Sequence, residues 1–278
     1  MNLTVVGLGL LGGSFALGVR ELEPTARITG IDRADVLARP AARAAADRLV
    51  AADDDSAVDA AFREADLVLL AAPVQTIALV LPRALEHAQL VTDCGSTKAA
   101  VVLAAASSPR RRRFVPGHPM AGAPTGGIDA AQPALFRGRR WLICPEASDT
   151  DAVETIEALV RRLGAEPVRL SAADHDRAVA LTSHATQLVA SALAAVAFEA
   201  GAEPAIGPAF EGATRVAGGP EEMWGDIFST NASAIAGALG ALEAELAAVR
   251  RGLEQPIPDR GPALALLARA RRLRRNPV

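Results

Sequence analysis

The turn Gly7-Leu8-Gly9-Leu10-Leu11-Gly12 constrains this chain more than any other part of it. It follows directly on the apolar stretch Leu3–Val6 and opens a run of helical periodicity. Each glycine meets a geometric need. Gly7 turns the chain tightly out of a strand, Gly9 lets a pyrophosphate approach the backbone, and Gly12 lets helix and strand pack closely. The free N–H groups at the helix start then face an anion. Glycine spacing alone is a weak signal, and Asp32 strengthens it. It ends the next strand-like stretch, about 20 residues beyond the turn, where an acid binds the ribose hydroxyl pair. A carboxylate there repels a 2′-phosphate, so NAD is expected as the cofactor rather than NADP. Arg33, next along the chain, softens that preference.

Short apolar stretches continue at Arg27–Ile31, Asp66–Ala71, Gln89–Asp93, Arg113–Val115, Arg140–Cys144 and Pro167–Leu170. Between them the periodicity predicts helices at Leu11–Arg20, Ala34–Leu49, Val74–His87, Thr97–Ser107 and Asp149–Leu163. Alternation of this kind predicts an α/β Rossmann fold with a doubly wound, mainly parallel sheet. Ala72 and Pro73 fall at the carboxyl edge of the third such strand, on the expected path of the dinucleotide. After Leu170 no strand pattern remains. Ser171–Asp174 reads as a capping box opening a long helix to about Glu199, interrupted at Gly201–Pro208. Further helices are expected from Glu211 and from Glu222 past Glu254. The expected division is therefore residues 1–170 for the dinucleotide and 171–278 for an all-α domain.

The bulk properties narrow the function. A net charge of −3 supplies no general attraction for nucleic acid. No apolar run is expected to reach the roughly 20 residues that span a bilayer, and no charged leader precedes the first strand. Hence no membrane association and a cytoplasmic address are expected. Cys94 and Cys144 sit in separate strand-like stretches, which argues against a disulfide framework or a zinc site, and no metal is expected. The chain has no tyrosine. Acid–base chemistry must then fall to its four histidines, its carboxylates or Lys98.

Three further segments carry candidate chemistry. In Thr92–Lys98 (TDCGSTK), Ser96 stands where a strand gives way to a helix, either as a plain N-cap or facing the nicotinamide. Lys98 reads equally as a solvated lysine or a functional one. In Gly117–Gly122 (GHPMAG), Pro119 holds His118 out of helical geometry, and the loop lies beyond a parallel strand. A histidine so placed suits acid–base work near neutral pH. His87, at a helix end, reads as structural. The helical half holds Asp174-His175-Asp176, Ser183-His184 with Gln187, Thr214-Arg215 and Met223-Trp224. His184 and Gln187 share a helix face; His184 is either a core histidine or a substrate contact. Arg215 is either a carboxylate clamp or a surface ion-pair arginine. The arginines between 269 and 275 read as a solvated helix end.

Taken in order, GLGLLGGS at Gly7–Ser14, VTDCGSTK at Val91–Lys98, GHPMAG, ALFRGRRWLICP at Ala134–Pro145, DHD at 174–176, SHATQ at Ser183–Gln187, TRVA at Thr214–Ala217 and MWGDIFSTN at Met223–Asn231 resemble the prephenate/arogenate dehydrogenases. The resemblance implies NAD-dependent oxidative decarboxylation of prephenate to 4-hydroxyphenylpyruvate in tyrosine biosynthesis. It implies that His118 takes the proton of the ring hydroxyl and that Ser96 bonds the same hydroxyl and orients histidine and nicotinamide. Arg215 would bind a substrate carboxylate, and Trp224 would lie near the active site. The helical domain would form a homodimer. Where many members carry a second histidine after Ser-His, this chain has Gln187, which leaves that substrate contact open and with it the choice of prephenate or arogenate. The expected ligands are thus a small-molecule substrate and NAD. Feedback inhibition through an added domain is not expected; direct competition by tyrosine stays open.

Three alternatives compete. A 4-amino-4-deoxyprephenate dehydrogenase is a near variant. A β-hydroxyacid-type dehydrogenase would need a lysine in the helical half, and Lys98 is the chain's only one. A non-catalytic NAD-sensing protein would not need Ser96, His118 and Arg215 together.

Overall fold

A computed structural model describes residues 1–123 and 125–275. Residues 276–278, which belong to the expected second domain, lie outside the described residues. Six strands form one all-parallel sheet: β1 (Asn2–Val6), β2 (Arg27–Asp32), β3 (Arg48–Ala51), β4 (Leu67–Leu70), β5 (Val91–Asp93) and β6 (Phe114–Val115). Their spatial order is β3-β2-β1-β4-β5-β6. The order reverses between β1 and β4, which opens a crevice at the carboxyl ends of those strands. A second sheet follows, with β7 (Gly117–Pro119) antiparallel to β8 (Arg140–Ile143) and β8 parallel to β9 (Glu166–Arg169).

Side chains of β4 alternate between two cores. Leu67 and Leu69 join one with Leu3, Val5 and Phe15, while Val68 and Leu70 join the other with Val6, Phe62 and Leu81. Both faces of the sheet are therefore covered, which is why its strands read as continuous apolar runs. The mainly parallel Rossmann sheet expected from the sequence is present.

Two strands were not anticipated. The stretch expected as one helix over 34–49 is instead two short helices, Ala34–Leu37 and Pro40–Ala45, followed by β3. Pro40 lacks the N–H that a continuous helix needs and occupies a helix start instead. β7 was hidden in the histidine loop, because a three-residue strand shows no periodicity. Likewise the helix expected from Glu222 past Glu254 breaks at Asn231, between Glu221–Thr230 and Ala232–Leu253.

By packing, the chain forms two compact units. One compact unit comprises Met1–Val179 with Gly219–Asn231; the other comprises Ala180–Gly218 with the chain from Ala232 onward. Hydrogen bonds explain why the first unit extends past its strands. Asp176 accepts from the backbone N–H groups of Lys98 and Ala99 at 2.7 and 2.8 Å. Asp226 accepts from the N–H of Val74, and Asn231 donates to the Asp176 carbonyl at 2.9 Å. The capping box is present, with the Asp174 N–H donating to the Ser171 hydroxyl at 2.9 Å.

The expectation that no segment is apolar enough to span a bilayer is corrected. The helices Ala172–Glu199 and Ala232–Leu253 are both long and apolar enough by length and composition. Alanine, abundant in both, scores as apolar without contributing a long side chain. In the second unit these helices expose Leu193, Val196, Phe198 and Leu246.

Candidate active site

The carboxyl edge of the large sheet carries the glycine turn. Gly7 has φ +93°, and a Cβ there would lie 2.5 Å from the Ala71 carbonyl oxygen. A Cβ on Gly12 would lie 2.0 Å from the Gly7 oxygen, so helix and turn meet only because both residues lack side chains. Gly9 is different: nothing lies within 4 Å of the position its Cβ would take. The space above Gly9 is open, as close approach of a pyrophosphate to the backbone would require. Asp32 accepts the Leu8 N–H at 2.6 Å and the Arg33 N–H at 2.7 Å, which locks its carboxylate beside the turn. Arg33 forms a two-point ion pair with Asp35 at 3.1 and 3.2 Å. Arg39 pairs with Asp129 across the same hollow, of about 270 Å³.

From Gly9 the crevice continues as a cleft of about 440 Å³. Its walls are Gly9–Leu11, Ala71–Val74, Cys94–Ser96, His118 with Pro119, residues 121–123, and Pro220, Met223, Asp226 and Ile227. Leu10, Leu11, Ala72, Pro73, Ser96 and His118, all singled out from the sequence, are thus brought to one cleft. A larger hollow of about 530 Å³ lies at the amino-terminal edge of β1 and β2, lined by Asn2–Thr4 and Arg27–Thr29, away from all of these residues.

Behind His118 stands a pair that the sequence reading left without a role. His118 Nδ1 is 2.9 Å from His175 Nε2, and His175 Nδ1 is 2.8 Å from Asp176 Oδ1. His175 is fully buried. Burial pushes its pKa below the ordinary histidine value, and the nearby Lys98 charge acts in the same direction, against the pull of Asp176. Burial alone would raise the pKa of Asp176, yet the His175 bond and the two backbone N–H groups hold it below the usual carboxylate range. A carboxylate only accepts, so the His175 proton sits on Nδ1 and Nε2 is an acceptor. The His118 proton must then sit on Nδ1, leaving its Nε2 as the basic nitrogen.

The one signal for this arrangement in the sequence was the DHD triplet. Separated from His118 by 57 positions, it could be joined to it only by folding. Lys98 is neither solvated nor in the cleft; it is completely buried beside Asp93. Cys94 lines the cleft, but burial pushes its thiol well up, so it is no thiolate nucleophile.

Comparison with known proteins accounts for this assembly of motifs. Residues 15–169 match the model of the prephenate dehydrogenase nucleotide-binding domain, and residues 171–262 that of the prephenate dehydrogenase dimerization domain. The chain belongs to the prephenate dehydrogenase family. A prephenate dehydrogenase of Bacillus subtilis is 34% identical over 274 residues, covering 91% of this chain and 70% of the relative. A cyclohexadienyl dehydrogenase of Zymomonas mobilis is 30% identical over 262 residues, covering 91% and 88%. In fold, the chain is similar to the prephenate dehydrogenase from A. aeolicus solved with hydroxyphenyl propionate and NAD+, at TM-score 0.85 and 23% identity, covering 99% of this chain and 98% of that one. Membership implies a nucleotide cofactor in the first domain, and the open cradle at Gly9 fits one.

The remaining expected family residues are distributed as follows. Trp224 is half-buried in the first unit, stacked on Phe228 with ring centroids 5.6 Å apart. His184 and Gln187 belong to the second unit and are buried, His184 within a turn of π-helix at Ala180–His184. Arg215, also in the second unit, is exposed. Of the pair Met223-Trp224 singled out in the helix Glu221–Thr230, Met223 lines the cleft, joined by Asp226 and Ile227, and Trp224 does not. Asp226 also caps the helix after β4 through the Val74 and Gln75 N–H groups, and Thr230 meets Thr97 at 3.0 Å.

Proposed function

We propose that this protein catalyses the NAD-dependent oxidative decarboxylation of prephenate to 4-hydroxyphenylpyruvate, with His118 as the general base. The observation that carries the reading is the ordered series Asp176–His175–His118 ending at the cleft that Ser96 and the glycine turn share. When bound, oxidised nicotinamide accepts a hydride from the ring carbon that bears the hydroxyl. Gly7, Gly9, Leu10, Leu11 and Gly12 would hold its pyrophosphate, Asp32 its ribose, and Ala72 and Pro73 the path between. Asp32 and Asp35 surround the ribose position with negative charge, while Arg33 and Arg39 are already paired with acids. Both facts favour NAD over NADP.

The chain's own residues manage the proton. His118 Nε2 accepts the hydroxyl proton as the C–H bond breaks, with Ser96 bonding the same oxygen. The Nδ1–H of His118 donates to His175 throughout, and Asp176, acting through His175, stabilises the charge that develops on His118. Loss of the ring carboxylate as carbon dioxide supplies the electron pair that completes the aromatic ring. His118 then returns its proton to the phenolate oxygen, so no net proton is released. Arg215 is proposed as the carboxylate clamp, with His184, Gln187 and Trp224 as further substrate contacts from residues 171–278. We place the protein in the cytoplasm as a homodimer formed through the exposed apolar faces of its long helices.

The test is direct. Purified protein given NAD and prephenate should produce NADH and carbon dioxide in equal amounts. NADH formation without decarboxylation would refute the mechanism. Faster turnover of arogenate than of prephenate would move the assignment to the amino analogue, a choice that Gln187 leaves open.

A further inference from the structure

We propose that the buried pair Asp93–Lys98 is a positioning device that holds the His118 loop and the Ser96 loop as one rigid block. The inference rests on the reading of His118 as the base. Neither residue lines the cleft, so both act through others. Asp93 ends β5 and is completely buried, as is Lys98. Asp93 Oδ1 accepts the Gly117 N–H at 2.9 Å. Asp93 Oδ2 accepts the Gly95 N–H at 2.8 Å and the Lys98 ammonium. Lys98 Nζ also donates to the Gly117 carbonyl at 2.7 Å. Both backbone polar groups of the residue before His118 therefore end on this pair, and so does the N–H of the residue before Ser96.

The surroundings leave no slack for these loops to shift independently. A Cβ on Gly117 would lie 2.7 Å from Trp141 Nε1 and 2.9 Å from the Asp93 carbonyl oxygen. One on Gly95 would lie 2.8 Å from Asp93 Oδ2. The choice of amino acid points the same way. Of 29 basic residues only this one is a lysine. A compact ammonium with rotatable donors fits a closed space between a carboxylate and a carbonyl, where a planar guanidinium would not. As a source of stability the pair is a poor candidate, because apolar residues of similar volume often serve as well or better. Fixing the register of two loops is a different task, and it requires polar groups that reach backbone.

The deciding variant is the double substitution Asp93→Asn with Lys98→Met, which removes both charges and leaves no lone buried ion. We expect it to fold, with the KM for NAD within twofold of wild type and kcat for prephenate lowered about 10²-fold, the scale set by an ångström of misplacement. The ring-nitrogen NMR signals of His118, assigned by their loss in His118→Asn, should shift. A folded double variant with wild-type kcat and unshifted His118 signals would overturn the proposal. So would a raised KM for NAD at constant kcat. Should wild type fail to turn over prephenate while the variant's His118 signals still move, the functional reading falls and the positioning role stands. If the double variant does not fold, ¹⁵N-lysine labelling of wild type decides, because it yields a single side-chain signal. Slowly exchanging ammonium protons that respond to His118→Asn support the proposal; a freely exchanging, unresponsive signal overturns it.

Discussion

The sharpest consequence of the structure concerns His175, a residue outside the cleft lining. Replacing it by Phe keeps a ring in a fully buried site but removes the acceptor 2.9 Å from His118 Nδ1. Asp176 loses one partner and keeps two, the Lys98 and Ala99 N–H groups, so the loss falls mainly on His118. A donor deprived of its partner in a partly buried site costs about 1–3 kcal/mol. At 1.36 kcal/mol per factor of ten, that is a fall of about 5- to 150-fold in kcat if the bond is needed mostly in the transition state. Loss of the base itself costs about 10²–10⁴-fold, so His175→Phe should be impaired less than His118→Asn. The assay is NADH formation at saturating NAD and prephenate, with thermal unfolding as the control for folding. A folded His175→Phe protein with kcat within twofold of wild type would refute the relay. A loss confined to KM would refute it equally.

Five further outcomes are expected. His118→Asn should lose about 10²–10⁴-fold in kcat while binding NAD as wild type does in calorimetry. Gly9→Ala should leave the melting temperature unchanged, because nothing lies within 4 Å of the added methyl, yet weaken NAD binding. Gly12→Ala should destabilise the fold by about 1–3 kcal/mol, seen in denaturant titration, because its methyl would lie 2.0 Å from the Gly7 oxygen. Asp32→Ser should narrow the preference for NAD over NADP in kcat/KM, since it removes the charge that repels a 2′-phosphate. Stability should also depend on pH through His175. Its native pKa is depressed by burial, so below the ordinary histidine value of about 6.5 the unfolded chain binds a proton that the native one does not. Stability therefore falls as pH drops from 7 towards 5, and the slope of melting temperature over that window should flatten in His175→Phe.

Much of the fold was legible because it rests on local regularities. The glycine turn, the alternating strands and helices, and the capping box at Ser171 each express a short-range rule of backbone geometry or burial. The same holds for Leu10, Leu11, Ala72, Pro73, Ser96 and His118, which the structure brings to one cleft. What stayed hidden was short or distant. β7 spans three residues, too few for any period to show. The helix expected at 34–49 hid β3 because alanine and leucine suit either state, and pairing with β2 decided the matter.

By itself the sequence pointed to a dinucleotide along the first glycine turn and to a histidine loop beyond a parallel strand, and it determined which family these motifs compose. Only the tertiary structure could decide what stands behind that histidine. His175, Asp176, Asp93 and Lys98 each reach a partner 19 to 78 positions away along the chain, and no spacing rule encodes such contacts. Their charges are tolerable only in the places folding puts them, because a buried ionisable group must meet its partner there or be neutralised. The glycine turn is a local property of the backbone, whereas the tautomer of His118 is a property of the folded core.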